Sequence, residues 1–162
     1  MASNERVSKV LTVAVTLCLV CSVVVSSAAV LLRDAQEANK ALDKKSNILS
    51  AAGLLEPGMS VEEQFKKIEV KVVDIGTGKF TDAVSPDTYD QRKAAKNLGL
   101  SVSLSDEEDV ADISRRAKYA VVYLVRDGDD LEKVVLPVRG PGLWSTLYGF
   151  IAIESDLNTV AG

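Results

Sequence analysis

Apolar residues divide this chain into two unlike parts. From Val10 to Leu32 there are 23 residues without a charge, rich in Val and Leu. A helix rising 1.5 Å per residue would carry that run across roughly 35 Å, slightly more than the ~30 Å hydrocarbon core of a bilayer. The pattern predicts a transmembrane helix over 10–32, after a short N-terminal segment over 1–9. Thr12, Thr16, Ser22, Ser26 and Ser27 can turn their hydroxyls back to helix carbonyls. They fall partly on one helical face, where partner helices could pack against them, although ordinary lipid-facing content reads the same way. Arg6 and Lys9 precede the run, which by the positive-inside rule keeps the N-terminus cytoplasmic and exports the bulk of the chain. A cleaved signal peptide, cut near Ser27-Ala28-Ala29, is the alternative. The apolar run continues through Val30-Leu31-Leu32 into a helical pattern, which favours an uncleaved anchor.

Beyond the membrane, residues 33–52 contain no Gly or Pro. Ala38, Leu42, Ile48, Leu49 and Ala52 recur near helical spacing, with Gly53 placed to cap the C-terminus. The expectation is a helical stalk over 33–56 and a domain over 57–162. Ser60-Val-Glu-Glu63 is a capping-box pattern opening a short helix, with Val61, Phe65 and Ile68 on one side. Glu69 to Asp74 alternates as a strand and Gly76-Thr-Gly78 closes it. In the polar middle section, Asp87 to Lys96 reads as a helix with Ala94 and Ala95 as small packing positions. Ser105 to Asp109 reads as an acidic helix start leading to Ala111, Ile113 and Ala117.

Tyr119 to Val125 is the strongest strand pattern, and Asp127-Gly-Asp-Asp130 turns it into a second strand over Leu131 to Val138. Leu143 to Ile153 is apolar enough for a buried turn and strand. Asp156 to Gly162 should turn into a further strand, which gives the impression of half a domain. Helices gathered early and antiparallel strands gathered late define an α+β class.

Composition narrows the chemistry. No histidine occurs anywhere, which removes Ser-His-Asp and Cys-His catalysis and every His-dependent metal site. Residues 33–162 carry 17 basic and 22 acidic side chains, the wrong balance for neutralising nucleic-acid phosphates. The two cysteines, Cys18 and Cys21, both lie in the apolar run, so no disulfide framework exists outside it. Gly76-Thr-Gly78-Lys79 lacks phosphate-loop spacing and reads as a solvent turn. Glu154 and Asp156 have no nucleophile to serve and read as a surface turn. Tyr119, Tyr123 and Tyr148 read as half-buried strand residues.

One cluster stands apart, Gly140-Pro-Gly142-Leu143-Trp144-Ser145. Two glycines around a proline imply a sharp turn or a close backbone approach. The only Trp of the chain follows at once. A planar aromatic cofactor needs a flat apolar side chain for its face and free backbone N–H groups for its polar edge. The competing reading is a hairpin exit whose Trp fills the core.

Several stretches, in order, resemble the C subunit of the sodium-translocating NADH:quinone reductases, respiratory complexes of the bacterial inner membrane. They are Ala28-Ala29-Val30 into Leu32-Arg33-Asp34, Ala41-Leu-Asp-Lys44, Asn47-Ile-Leu49, Ala52-Gly53, Tyr89-Asp-Gln-Arg-Lys-Ala-Ala-Lys96 and Arg115-Arg-Ala117. The most specific block runs from Val121-Val-Tyr-Leu-Val125 through Asp127-Gly-Asp129, Leu136-Pro-Val138 and Gly140 to Gly142-Leu-Trp-Ser145, and continues to Asn158-Thr-Val160 and Gly162. That block resembles the first half of an FMN-binding domain. The resemblance implies an electron-relaying subunit whose FMN is joined through its phosphate to a threonine in a Ser-Gly-Ala-Thr motif. No Ser-Gly-Ala-Thr occurs in these 162 residues, so the attachment threonine is expected beyond this chain. It further implies other subunits of a multi-subunit complex and membrane lipid as partners. Gly140, Gly142, Leu143, Trp144 and Ser145 are the implied near wall of the flavin site, with Leu143 and Trp144 against the ring. No catalytic residue and no metal ligand is implied for this chain. A docking subunit without its own flavin is the alternative.

Overall fold

The computed structural model describes residues 2–162, with side chains from residue 7 onward. The chain forms two compact units, one ending at Leu42 and one spanning Asp43–Gly162. The first contains helix α1, Ala2–Leu31. Its segment Val7–Leu31 is long and apolar enough to cross a membrane, and its side chains are exposed throughout. Two of the small polar residues satisfy themselves as expected, Thr12 Oγ1 donating to the Ser8 carbonyl at 2.9 Å and Ser22 Oγ to the Cys18 carbonyl at 2.6 Å.

Helix α2, Arg33–Ala52, follows. The boundary between the two units falls inside it, so residues 43–52 belong to the domain. Ile48, Leu49 and Ala52 are buried there. The helix ends as its sequence predicts. Gly53 takes φ +72°, its N–H bonds the Ser50 carbonyl, and Leu54 N–H bonds the Leu49 carbonyl. This is a Schellman closure, and Leu54 packs against the cluster that holds Leu49.

The domain is built on a five-stranded antiparallel sheet. Its strands are β1 (Ile68–Asp74), β2 (Lys79–Phe80), β5 (Tyr119–Asp127), β6 (Asp130–Pro141) and β7 (Thr146–Glu154), in the order β2-β1-β5-β6-β7. A small second sheet pairs β3 (Ser101–Ser103) with β4 (Arg115–Ala117). Strand β5 lies centrally, with Ile68↔Val125 through Asp74↔Tyr119 on one side and Tyr123↔Val135 on the other. Its alternate residues feed two cores. Val121, Tyr123 and Val125 join Ile48, Leu49, Ile68 and Val135, whereas Val122 and Leu124 join Val134 on the opposite face. Two edge-to-face aromatic contacts, Phe65–Tyr123 at 6.2 Å and Tyr123–Phe150 at 6.0 Å, add directional packing to the first core. The β5–β6 turn has Gly128 at φ +61°, as a tight two-residue hairpin loop requires.

The structure corrects the sequence reading at three helices. At α3 (Val61–Phe65), Ser60 is the N-cap residue but its side chain makes no capping bond. Buried Gln64 organises the turn instead, accepting from Glu56 N–H at 2.8 Å and donating to the Glu56 and Met59 carbonyls at 3.1 and 3.0 Å. The helix expected from Asp87 begins only at Gln91 and runs to Lys96 as α4. Asp90 caps it through bonds to the Arg92 and Lys93 N–H groups, and Ala94 and Ala95 are buried as anticipated. The helix expected after Ser105 does not propagate. Glu108 reaches back to Ser105 N–H and Oγ, closing one turn. The Asp109 carboxylate then captures the N–H groups of Ile113 and Ser114, while Asp112 and Ser114 take φ +47° and +59°. Residues 115–117 emerge as β4.

Ser60→Ala should therefore change unfolding stability by less than about 0.5 kcal/mol, since no capping bond is lost. Gln64→Leu should cost roughly 1–3 kcal/mol, because it removes three part-buried hydrogen bonds that shape the turn from Glu56 to Met59. Urea unfolding of both variants would decide the matter; equal losses would restore the capping-box account.

Candidate functional site

Beyond Val135, strand β6 no longer pairs with β5, and the register from Leu136↔Ile151 to Pro141↔Thr146 involves β7 alone. The last part of the hairpin is thus a two-stranded ribbon leaving the main sheet, closed by residues 142–145. Gly142 N–H donates to the Ser145 carbonyl at 2.9 Å. A Cβ on Gly142 would lie 2.6 Å from that oxygen and 2.8 Å from Leu147 Cγ. Only glycine fits such a closure. Gly140 is different, because a Cβ there would meet nothing within 4 Å. The close approach expected of the two glycines is real at Gly142 alone.

The expected buried turn is absent. Leu143 is 91% exposed and Trp144 94% exposed, and Ser145 to Gly149 are exposed as well. Burial resumes at Phe150, where the ribbon rejoins the sheet and Ala152 reaches the core. Apolar character in this stretch signals a wet ribbon because the neighbouring strand that would shelter it has parted company. Trp144 is not a core residue. The N–H groups of Leu143, Trp144 and Ser145 have no partner among the described residues, so they remain free beside the indole. Gly142 N–H does not, since Ser145 takes it.

Two arginines fix the ribbon. The Arg92 guanidinium from α4 lies 3.9 Å from the centre of the Tyr148 ring, and Arg139 Nη2 donates to the Arg115 carbonyl on β4. Tyr148 and Arg139 face each other across the ribbon register. Neither arginine carries a local sequence signal. The stack depends on α4 and β7, more than fifty residues apart, meeting in the fold.

The remaining candidates resolve as turns. Asp74 Oδ1 accepts from Gly76 and Thr77 N–H, so the Gly76–Lys79 turn has those amides already occupied. Asp156 closes the loop after β7, accepting from the N–H groups of Asn158 and Thr159 and from Thr159 Oγ1 at 2.6 Å. The Thr159 hydroxyl, with these amides, holds the Asp156 carboxyl below its ordinary value of 3.8. The loop lays Val160 against Ile153, and Ala152 exchanges backbone bonds with Ala161 and Gly162. That is the beginning of the additional strand pairing expected after Asp156. Tyr123 is fully inside, while Tyr119 is half-buried and Tyr148 is 38% exposed.

An α+β domain following a single long apolar helix, with an aromatic hairpin tip held in solvent, is the class of protein this fold defines. The crystal structure of Shewanella oneidensis NqrC has the same fold, with a TM-score of 0.68 and 34% identity over 76% of this chain and 58% of that one. The fold also recurs, at 23% identity and a TM-score of 0.57, in the C subunit of the Na(+)-translocating NADH-quinone reductase of Parabacteroides distasonis, with 81% of this chain and 55% of that one aligned. No family model matches. By sequence the chain is a homologue of the C subunit of the Na(+)-translocating NADH-quinone reductases. It is 53% identical over 163 residues to that subunit of Vibrio vulnificus and 51% identical over 166 residues to that of Pseudomonas aeruginosa, each match covering 100% of this chain. The chain spans 64% of the length of these relatives.

Trp144, the only tryptophan, should emit as a fully hydrated indole in the folded chain, and its emission maximum should barely move on unfolding. A blue-shifted native spectrum would contradict the exposed tip. Because Asp156 is depressed on folding, its contribution is complete above the ordinary aspartate range and drains away as pH falls through the folded value. Thr159→Val should raise the Asp156 pKa towards 3.8, measurable by NMR titration of its carboxyl carbon.

Proposed function

We propose that the chain acts as the electron-relaying C subunit of a membrane-bound sodium-translocating NADH-quinone reductase. Its N-terminus would be cytoplasmic, α1 in the inner membrane and the domain periplasmic. The single observation that supports the site is the hydrated Leu143–Trp144 tip, an apolar surface the fold itself leaves unused. FMN, attached to a threonine outside these 162 residues, would supply one-electron transfer. The residues present fit one side of such a group. Trp144 and Leu143 offer a flat apolar face, and the N–H groups of Leu143, Trp144 and Ser145 face a polar edge unopposed. Gly142 keeps the closure tight enough to place the indole at the extremity. With no Asp, Glu, Lys, Arg or His in α1 between Val10 and Leu31, the ion path belongs to other subunits.

A second reading, a docking subunit without its own flavin, draws on the same tip, because Trp and Leu at an extremity suit a partner pocket as well. Intact mass of the subunit isolated with its complex from native membranes separates the two. The electron-carrier reading expects a mass well above 17.3 kDa that includes the increment of FMN minus water. A mass matching the 162 residues alone would leave the docking reading.

A further inference from the structure

Among residues with described side chains there are six arginines: Arg33, Arg92, Arg115, Arg116, Arg126 and Arg139. Arg33 is paired with Glu37 at 3.0 Å and Arg126 with Glu69 at 2.8 Å. The other four form no ion pair among the described residues, and all four lie on α4, β4 and the ribbon. A shortage of carboxylates is not the reason, since Asp43–Gly162 carries 20 acidic and 15 basic side chains. The arginines without an ion pair are gathered on neighbouring elements of a net-acidic domain.

We propose that Arg92 and Arg139, brought together at Tyr148, form a binding site for a phosphate group. The Arg92 guanidinium lies 3.9 Å over the centre of the Tyr148 ring, a contact that orients it without using its N–H donors. Arg139 is half-buried and makes one side-chain bond among the described residues, from Nη2 to the Arg115 carbonyl, whereas a guanidinium has five N–H donors. Arg115, whose carbonyl accepts that bond, has its own guanidinium held by Ser101 at 2.9 Å. Asp90 makes no ion pair with Arg92: its carboxylate accepts from the backbone N–H groups of Arg92 and Lys93 and lies 3.7 Å from Lys93 Nζ. One carboxylate would be satisfied by a single guanidinium fork. Two guanidinium groups gathered at one ring suit a multiply charged tetrahedral oxyanion. The phosphate could be free or carried as an ester, and the chemistry of capture is the same for both.

The test follows the unfolding midpoint of the full chain in detergent as inorganic phosphate or glycerol 3-phosphate replaces chloride at constant ionic strength, which holds general screening fixed. A phosphate-specific rise is expected for the natural protein. Arg92→Gln and Arg139→Gln should each weaken the apparent affinity at least tenfold, the scale of a lost charge-assisted hydrogen bond. Arg126→Gln, whose arginine is already paired with Glu69, should behave as the natural protein. A tighter response to the ester than to inorganic phosphate assigns an esterified occupant, and an equal response assigns free phosphate. No difference between phosphate and chloride, or an undiminished response in Arg92→Gln, overturns the site. Arg92 is exposed, so that variant decides the question even if Arg139→Gln fails to fold.

Discussion

Burial of β5 on both faces is the constraint on which the domain depends. A strand with its alternate side chains in two different cores must be apolar at nearly every position, as Val121 to Val125 is. It must also be paired on both edges, which β1 and β6 accomplish. One face is closed by residues 48–52 of α2 together with Phe65 and Tyr89. The opposite face packs Val122, Leu124 and Val134 with Val73, Leu131 and Leu136. The C-terminal end of α2 is therefore part of the domain's own interior, and the Schellman closure at Gly53 lets the chain turn away without leaving carbonyls bare.

The same arrangement explains why the candidate site is wet. Where β6 parts from β5, the sheet loses its third strand and its sheltered faces together. What remains is a ribbon whose tip owes its shape to the close approach at Gly142 and whose middle is held by Arg92 and Arg139. The domain is net acidic, with the loop around Asp106–Asp109 and the Asp127–Asp130 turn as contributors. Against that balance, the four arginines without an ion pair lie on α4, β4 and the ribbon.

Much of this was legible in the residues because some signals are local. The β5–β6 hairpin, the Gly53 cap, the paired alanines of α4 and the exposed Gly76–Gly78 turn each follow from side chains within a few positions of one another. Elsewhere a local rule met a competitor. At Ser60 the capping-box pattern lost to Gln64, whose longer side chain reaches three backbone groups at once. After Ser105 the acidic helix start lost to Asp109, which holds the very N–H groups a continuing helix would need. At Leu143–Trp144 the cluster was visible but its burial was not, because exposure there depends on where a neighbouring strand stops pairing. The arginine stack on Tyr148 belongs to tertiary structure altogether.

The ribbon is also a braced arm. From Leu136 to Pro141 it extends about 17 Å at the usual strand rise, and it is gripped at the Arg139–Tyr148 pair, two residues before Pro141, by one stacked ring and one side-chain hydrogen bond. The stretch beyond the grip is only about 7 Å, so a tilt of about 10° there would carry the end of the ribbon by about 1 Å. Anything seated on the tip is thus steadied from close by, through contacts made by α4 and β4.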